Sequence, residues 1–177
     1  AENGSFQYDA VIIAAGIDTI SFAKSLGDFL PMAAERGYNL TLPSPNVQID
    51  IPIVFADRGI VATSLRSGLR IGGWAEYANP MRPANQAYFD SIARISQELF
   101  PGLNVEGAKF WMASRPSMPD SLPVISRSQK SDRVFYNCGH GHYGLTHAAT
   151  SAKLVCDLLT NNQNLSVSSL FSINRFL

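Results

Sequence analysis

Two hydrophobic patterns alternate along this chain. Residues 10–16 form a continuous apolar segment ending in Ala14, Ala15 and Gly16, which is typical of a buried strand in a parallel sheet. From residue 36 to residue 74, apolar residues instead occupy alternate positions, which predicts a meander of half-buried antiparallel strands. Residues 109–114 and 133–138 return to the first pattern and predict further strands. We therefore expect one domain inserted into another.

Helical segments complete the predicted fold. Residues 21–30 predict a short helix that ends before Pro31, and residues 145–159 predict one whose apolar face is rich in alanine. Between them, a helix starting at Pro83 has one apolar stripe, formed by Tyr88, Ile92, Ile95 and Leu99. The sequence thus predicts an α+β fold. One domain comprises residues 1–33 and 107–165, a second comprises residues 34–106 with an antiparallel sheet and a packed helix, and residues 166–177 form a polar, irregular tail.

Composition and charge exclude several classes of function. Fourteen basic residues balance fourteen acidic ones, so charge gives no reason to expect binding to nucleic acid or to an anionic membrane surface. No apolar segment approaches the roughly 20 residues that cross a bilayer. Cys138 and Cys156 are far apart and fit no metal or redox spacing, so we expect two reduced, buried thiols in a cytosolic protein.

The predicted buried strand lies very close to the first residue. A buried strand in that position indicates that other strands of its sheet are supplied from elsewhere. The chain opens at Ala1 with no initiator Met and no signal peptide. We therefore expect a truncated or cleaved chain with an exposed sheet edge, which would pair with a second copy as a homo-oligomer.

The densest chemical signal is the segment 138–146, Cys-Gly-His-Gly-His-Tyr-Gly-Leu-Thr, between a predicted strand and a predicted helix. Its glycines permit positive φ angles and leave backbone N–H groups accessible. The first turn of the next helix adds unpaired N–H donors and a partial positive charge. Such a turn suits a phosphate or the electron-rich edge of a reduced flavin. Tight packing also requires glycine, so the segment alone leaves both interpretations open.

A metal site is the competing interpretation of this segment, because all three histidines, His140, His142 and His147, lie in it. The hypothesis of a metal-dependent hydrolase would rest on these histidines alone. A catalytic zinc usually has a third protein ligand on a rigid element, often with a carboxylate nearby. No Asp or Glu lies between Asp132 and Asp157, so we expect no metal.

Arg115 begins a second candidate segment, in which Pro116, Pro119 and Pro123 stiffen the chain directly after a predicted strand. A guanidinium held in place presents a planar fork that suits a carboxylate in two parallel hydrogen bonds. The alternatives are that Arg115 pairs with Asp120 or reaches solvent, and the residues alone favour these structural roles.

The segments also form an ordered set of motifs. They are Ala-Ala-Gly after a strand, Arg-Gly-Tyr-x-Leu, Gly-Gly-Trp-Ala-Glu, Arg-Pro-Ser-Met-Pro-Asp-Ser-Leu-Pro and Gly-His-Gly-His-x-Gly-Leu-Thr. In this order they resemble the D-amino acid oxidase family of flavoenzymes. Within that family the sequence most resembles the bacterial D-amino acid dehydrogenase branch, and it also resembles glycine oxidase and sarcosine oxidase. The resemblance runs from Asp9 to Leu159, and residues 171–176 resemble the usual ending of that branch.

The resemblance implies an incomplete D-amino acid oxidase-like fold. Residues 1–33 and 107–165 would be an α/β remnant of the FAD-binding domain, namely its C-terminal part, and residues 34–106 the substrate-binding domain. The implied reaction belongs to bacterial amino acid catabolism: hydride passes from the substrate Cα to FAD, and the resulting imino acid is hydrolysed to a 2-oxo acid and ammonia. The implied partners are a small amino acid and an electron acceptor, either a quinone or oxygen. The implied location is cytoplasmic or peripheral on the inner face of the bacterial membrane.

The resemblance also implies roles for individual residues. Arg115 matches the arginine that binds the substrate carboxylate, and Tyr143 is a further catalytic candidate. The implied cofactor contacts are Ala15, Gly16, Gly139, His140, Gly141, His142, Gly144, Leu145 and Thr146. The family usually follows the glycine at position 16 with a small residue and an aromatic, and Ile17-Asp18-Thr19 departs from this pattern.

One family motif does not occur in this sequence. The Gly-x-Gly-x-x-Gly turn, with an acidic ribose partner about 20 residues later, holds the ADP half of FAD. Residues 139–144 have the same glycine spacing but not the same structural context, because they follow a strand late in the sequence and no βαβ unit comes after them. We therefore expect the chain alone to bind FAD weakly or not at all and to be inactive. The alternative is a stand-alone module that binds an amino acid or a protein without catalysis.

Overall fold

The computed structural model describes residues 6–162 and 169–176, which belong to two compact units. The first unit combines Ala1–Ala34 with Arg115–Leu177, and the second is Glu35–Ser114. In chain order the strands are β1 (Val11–Ile13), β2 (Ala33–Leu42), β3 (Ile53–Phe55), β4 (Ile60–Leu65), β5 (Gly68–Tyr77), β6 (Lys109–Ser117), β7 (Val124–Arg127) and β8 (Val134–Cys138). The α-helices are α1 (Thr19–Leu26), α2 (Gln86–Leu99) and α3 (Ala148–Leu159), and short 3₁₀ helices span Gly16–Asp18, Gly141–Tyr143 and Ile173–Phe176.

The second unit is built on a five-stranded sheet with the order β3-β4-β5-β2-β6. Strands β3 and β4, β4 and β5, and β2 and β5 pair in antiparallel fashion, which confirms the predicted meander. The unit continues to Ser114, whereas the sequence suggested a boundary after residue 106. The difference arises because β6 is hydrogen-bonded beside β2 in this sheet.

The alternating residues before β3 do not form the predicted strand. Alternation at Val47, Ile49 and Ile51 suggested one, but β3 begins only at Ile53. Val47 and Ile49 still pack against the core of the unit, while Ile51 is 71% exposed. The segment lies between Pro45 and Pro52, and proline cannot donate to a strand ladder. The alternation therefore reflects burial without strand pairing.

Helix α2 packs its apolar face on the core of the second unit. Asn85 caps the helix, because its Oδ1 accepts a hydrogen bond from the N–H of Ala87 at 3.1 Å. Ile92 and Ile95 are buried, as the predicted stripe required, and Phe89 joins them. Burying each such side chain contributes about 1.5–3 kcal/mol. The helix therefore holds one face of the sheet in place.

A buried ionic network fixes the segment between β5 and α2. The fully buried Arg36 donates from Nη2 to the carbonyl oxygen of Pro83 at 2.8 Å, and its Nη1 lies 3.4 Å from Glu76 Oε2. The hydroxyl of Tyr38 donates to the same Glu76 oxygen at 2.7 Å and accepts from the N–H of Asn85 at 3.1 Å. Breaking such a buried pair by removing one partner leaves an uncompensated charge and strongly destabilises the fold.

The first unit contains a three-stranded sheet with the order β1-β8-β7. Strand β1 is parallel to β8, as predicted, and β7, which the sequence did not reveal, is antiparallel to β8. The predicted burial of β1 is wrong: Val11 is 49% and Ile12 is 45% exposed. In the part of the chain that the structure describes, β1 is an edge strand with a neighbour on one side only. Its open edge presents unpaired backbone groups.

Helix α1 ends at Gly27 and not before Pro31, as the sequence suggested. Gly27 adopts a left-handed conformation with φ 86°, and the N–H of Asp28 donates to the carbonyl oxygen of Ala23 at 2.9 Å. This is the usual glycine-terminated helix end. The buried Asp28 carboxylate then accepts hydrogen bonds from the hydroxyls of Ser128, at 2.5 Å, and Tyr136, at 2.8 Å. These bonds tie the end of α1 to β8 and to the residue that follows β7.

Residues 171–176 pack against the first unit, contrary to the predicted irregular tail. Ile173 is buried, and its N–H donates to Ser126 Oγ at 3.1 Å. The carbonyl oxygen of Phe171 accepts from the N–H of Ile125 at 3.0 Å. These bonds fix residues 171–173 against β7, while the earlier part of the predicted tail lies outside the described residues. Across the described ranges, no helix is long and apolar enough to cross a membrane.

The two cysteines differ, although both were expected to be buried. Cys138 is buried in β8, and Cys156 is exposed on α3 because the buried face of that helix is formed by Ser151 and Val155. Burial raises the pKa of the Cys138 thiol to about 12. The thiolate is the reactive form of cysteine, so Cys138 is both shielded and protonated at neutral pH.

We therefore expect one fast-reacting thiol in the native protein and two after unfolding. Titration with Ellman's reagent at pH 8 would count the reactive thiols in the native and in the unfolded protein, and mass spectrometry of the labelled peptides would identify them. Cys156→Ser should abolish the fast reaction in the native protein and leave one reactive thiol in denaturant. Rapid labelling of Cys138 in the folded protein would contradict the packing of β8.

Candidate functional site

The glycine–histidine loop connects β8 to α3. Gly139 and Gly141 have positive φ angles of 77° and 53°, whereas Gly144 is in the right-handed helical region with φ −55°. A Cβ added at Gly139 would lie 2.6 Å from Met118 Cγ. Gly139 is therefore required both by its backbone conformation and by the close approach of Met118.

Helix α3 begins at Ala148, later than the predicted start at residue 145. Its N-cap residue, His147, makes no side-chain capping hydrogen bond, and its first turn contains no acidic residue. The predicted apolar face is buried only in part: Val155 is buried, whereas Leu145 is 93% exposed and Ala148 and Ala149 are exposed as well. Exposed apolar side chains thus surround a positively polarised helix end. A flat ligand could approach this surface closely.

The histidines of the loop interact with neighbouring side chains. His140 Nε2 lies 2.8 Å from Ser151 Oγ, and burial, with a further contribution from His147, lowers the pKa of His140. At neutral pH His140 is therefore a neutral hydrogen-bonding group. The rings of Tyr143 and His147 stack with their centroids 5.7 Å apart. Among the residues described, His140, His142 and His147 do not join acidic or thiol groups in a cluster that could hold a metal ion.

The segment after Arg115 runs beside this loop. Arg115 is half-buried in β6, and Ser117, two residues later, forms an isolated antiparallel bridge with His140. Met118 follows directly and is buried against Gly139. The structure thus brings together the end of β6 and the start of the glycine–histidine loop, the two segments that the sequence singled out separately.

Asp120 pairs with a residue that the sequence did not suggest. Its Oδ2 accepts from Arg175 Nε at 2.6 Å and its Oδ1 accepts from Arg175 Nη2 at 3.2 Å, so the pair is bidentate. The N–H of Leu122 also donates to Asp120 Oδ1 at 3.1 Å. The carboxylate proposed as the structural partner of Arg115 is therefore held by Arg175. Together these bonds brace the proline-rich turn.

The hydrogen bonds from Arg175 hold the pKa of the Asp120 carboxyl below its ordinary value. A carboxyl with a lowered pKa in the folded state stabilises the fold above its unfolded pKa, and this contribution is lost as pH falls through the folded pKa. The pair is partly exposed, so its contribution is at most about 1 kcal/mol.

We expect Asp120→Asn to lower the free energy of unfolding near pH 7 and to have no effect in strong acid. Urea denaturation of both proteins over a series of pH values measures the difference. Asp132→Asn serves as a control, because Asp132 is almost fully exposed and its carboxylate lies 3.7 Å from Arg127. A difference between wild type and Asp120→Asn that does not change with pH would contradict the assigned role of this pair.

The remaining predicted contacts lie at the end of β1. Ala15 is exposed, and Gly16 has a φ of 57°, where an added Cβ would meet no other atom within 4 Å. Ala15 borders an apolar surface cavity of about 460 Å³, which the residues of β1, Ala14 and Phe22 also line. Both residues are therefore accessible to a ligand.

A second cavity, of about 520 Å³, lies beside the glycine–histidine loop. Apolar side chains of Leu122, Leu154 and Phe171 line it together with the rings of His140, Tyr143 and His147. Arg115 is not one of its lining residues. The sequence did not indicate this cavity, because its walls come from distant parts of the chain.

The chain is similar to a set of flavoproteins. The model of the DAO family, described as FAD dependent oxidoreductase, matches residues 1–158 of this chain. The chain is 33% identical to a D-amino-acid oxidase of Bradyrhizobium diazoefficiens over 99% of its own length and 43% of that protein. It is also 33% identical to a D-amino acid dehydrogenase of Neisseria meningitidis serogroup C, covering 99% of this chain and 42% of that one.

Solved structures agree on the fold. A glycine oxidase from Geobacillus kaustophilus matches 98% of this chain and 47% of its own, with a TM-score of 0.80 at 23% identity. An L-proline dehydrogenase from P. horikoshii matches with a TM-score of 0.73 at 16% identity, over 94% of this chain and 46% of its own. The chain thus has part of a D-amino acid oxidase-like flavoprotein fold, and it spans less than half the length of the curated relatives it matches.

Proposed function

This chain belongs to the DAO family of FAD-dependent oxidoreductases, and from that premise we propose that it is the C-terminal part of an enzyme that oxidises D-amino acids. The D configuration is suggested by the names of two relatives at 33% identity. In the proposed reaction the substrate loses a hydride from Cα and a proton from its amino group. The imino acid that forms is then hydrolysed to a 2-oxo acid and ammonia.

One observation carries this proposal: the bridge between Ser117 and His140. It aligns the segment that contains Arg115 with the loop from Gly139 to Thr146. An enzyme of this kind needs a fixed cation for the substrate carboxylate near a set of dipoles that face its electron acceptor. Positioning of this kind supplies much of the rate enhancement in hydride transfer.

The residues of the glycine–histidine loop fit one edge of FAD. Gly139 and Gly141 have positive φ angles, and Gly144, Leu145 and Thr146 are exposed, so the N–H groups of the loop are proposed to be open to an approaching ligand. When bound, FAD supplies the hydride acceptor. The proposed task of the loop, with His140 and His142, is to direct N–H donors at the carbonyl edge of the flavin, where negative charge develops.

The substrate contacts are assigned to two side chains. The guanidinium of Arg115 is proposed to bind the substrate carboxylate through two parallel hydrogen bonds. Tyr143 is 62% exposed and offers a hydroxyl donor beside the loop, so we assign it a second contact with the substrate. Neither group has to remove a proton from Cα, because the hydrogen leaves as hydride.

The two structural units receive separate roles in this proposal. The first unit is assigned to the FAD-binding domain, with Ala15 and Gly16 near the dinucleotide, and the second unit to the substrate-binding domain. Residues 139–144 match the letters of the Gly-x-Gly-x-x-Gly turn, but no βαβ unit follows them among the described residues, so the ADP half of FAD is assigned to the remainder of the protein. By itself the chain would hold FAD weakly and be inactive. The open edge of β1 is proposed to pair with a further strand, from the same protein or from a second copy.

Replacing Arg115 should weaken substrate binding in the FAD-loaded, full-length enzyme. A charge-assisted hydrogen bond contributes about 1.5–3 kcal/mol, so we expect Arg115→Ala to lower kcat/KM by about 10- to 100-fold, mainly through KM. Arg115→Lys should restore part of this loss, because lysine keeps the charge but lacks the fork. Dye reduction across a panel of D-amino acids measures the effect.

The control for this experiment is Arg66→Ala, which removes an exposed arginine from the turn between β4 and β5. It should leave kcat/KM unchanged. If Arg115→Ala also retains the wild-type kcat/KM, Arg115 does not bind the substrate carboxylate.

Gly144→Ala tests the proposed approach of the flavin. The φ of Gly144 suits alanine, and its Cβ would lie 3.6 Å from the Cβ of His140, which is an ordinary contact. The fold should therefore tolerate the change. A flavin packed on this backbone would meet the new methyl group, and overpacking of 1–3 kcal/mol corresponds to about tenfold weaker FAD binding or more.

The matched control is Gly102→Ala, between α2 and β6. Gly102 has a φ of 78° and nothing within 4 Å of a Cβ, so alanine should cost stability through strain and leave FAD affinity unchanged. Fluorescence titration of the full-length apoprotein with FAD and urea denaturation separate the two effects. Wild-type FAD affinity in Gly144→Ala would remove this glycine from the cofactor contacts.

A further inference from the structure

Arg175 joins the end of the chain to the proline-rich turn. Besides its bidentate pair with Asp120, its Nη2 donates to the carbonyl oxygen of Leu122 at 2.7 Å, and its Nη1 donates to the carbonyl oxygen of Ser172 at 3.0 Å. Its Cζ also lies 4.3 Å from the centroid of the Phe176 ring. The side chain of Arg175 is 14% exposed, and both segments hold it in place.

The two residues of the turn that Arg175 binds enclose a strained backbone position. Ser121 has a φ of 62°, in the left-handed region that residues with a side chain rarely adopt. Its N–H donates to the carbonyl oxygen of Met118 at 3.0 Å, which closes the turn. Such a conformation persists only where the surrounding structure imposes it. Here the bonds from Arg175 hold the residues immediately before and after Ser121.

Stiff backbone connects this turn to Arg115. Pro116 and Pro119 have restricted φ angles, which limits the freedom of the segment between Arg115 and the turn. Within that segment, Met118 is buried against Gly139. A shift of the turn would therefore displace Met118 and the end of β6, because the intervening residues cannot absorb it.

The anchor for Arg175 is the core of the first unit. Ile173 is 1% exposed, and its N–H donates to Ser126 Oγ at 3.1 Å. The Nε2 of Gln129 donates to Asn174 Oδ1 at 2.9 Å. Neither bond involves the proline-rich turn or the glycine–histidine loop. Arg175 thus holds the turn against a part of the fold that lies outside the candidate site.

We propose that Arg175 is a positioning residue, which imposes the strained turn at Ser121 and so sets where the Arg115 guanidinium lies relative to the glycine–histidine loop. This inference rests on the substrate-binding role proposed above for Arg115. Arg175 acts through the turn and does not touch the substrate. Without it, Ser121 would relax to an ordinary φ, and the end of β6 would move with the turn.

The test compares Arg175→Gln with wild type in the full-length, FAD-loaded enzyme. Propanoate has a carboxylate but no amino group, so titrating it while recording the flavin absorbance gives a dissociation constant without turnover. Oxidation of a D-amino acid gives kcat and KM. We expect the propanoate dissociation constant and KM to rise about tenfold and kcat to change less, because a small displacement of a binding group costs up to about 100-fold.

A double-mutant cycle tests whether Arg175 acts through Arg115. In an Arg115→Ala background, Arg175→Gln should cause no further loss of kcat/KM, because the group that it positions is absent. Arg175→Lys keeps the charge but lacks the planar fork, so its affinity should be intermediate, and it serves if Arg175→Gln fails to fold. The control is Arg127→Gln, which removes a guanidinium bonded to Asn161 in the same unit and should leave propanoate affinity unchanged.

Ser121→Gly supplies a rescue. Glycine adopts positive φ angles readily, so it should favour the native turn even without the brace. Added to Arg175→Gln, it should recover part of the lost propanoate affinity, whereas a loss of general stability would not respond to the φ preference at position 121. Wild-type propanoate affinity in Arg175→Gln, an equal loss in Arg127→Gln, or a full further loss in the Arg115→Ala background would overturn the proposal.

Hydrogen exchange separates this inference from the proposed function. In Arg175→Gln the N–H groups of Ser121 and Leu122, which are bonded within the turn, should exchange faster than in wild type, as measured by mass spectrometry. Unchanged exchange would show that Arg175 does not brace the turn. If wild type oxidises no D-amino acid and binds no carboxylate, the proposed function is wrong, and the exchange rates still test the brace.

Discussion

The close approach of β6 to the glycine–histidine loop is the constraint on which the candidate site depends. Gly139 adopts a positive φ, and a Cβ there would lie 2.6 Å from Met118 Cγ, so only glycine allows this approach. The adjacent bridge between Ser117 and His140 continues the contact through the backbone. Backbone geometry, more than side-chain reach, brings the two segments together. A side chain at position 139 would move the proline-rich turn, the loop or both.

Rigidity on both sides makes this contact useful for chemistry. Prolines at 116, 119 and 123 limit the turn, and the bidentate pair between Asp120 and Arg175 fixes its far end. The bond between His140 and Ser151 ties the start of the loop to α3. Groups that are fixed before the substrate arrives lose little conformational entropy on binding. Preorganised dipoles and charges therefore stabilise a developing charge without first having to reorient. The packed end of the chain, which includes Arg175, therefore contributes to the geometry of the candidate site.

Local patterns explain which parts of the fold could be predicted. Strands β4 and β5 and helix α2 were predictable because their own residues alternate between core and solvent with the period of the element. The end of α1 was missed because Gly27, which forms a left-handed cap, is a stronger terminator than the later proline. The burial of β1 was wrong because apolar composition cannot show which neighbours are present. In the candidate site, the loop was found from its clustered glycines and histidines. Arg175 was not, because it pairs with a carboxylate 55 positions away and belongs to no periodic pattern.

The loop and the first turn of α3 contain no acidic residue, and this affects the electrostatics of the helix end. No Asp or Glu lies between Asp132 and Asp157, and the first turn of α3 contains none. Acidic side chains at that position would offset the positive end of the helix. The first turn of α3 contributes no such side chain, and exposed Leu145 and Tyr143 provide apolar surface beside it. In the proposed function, a flat ring that accumulates negative charge on one edge would gain from both features, since its face would pack on apolar side chains while its edge meets N–H donors.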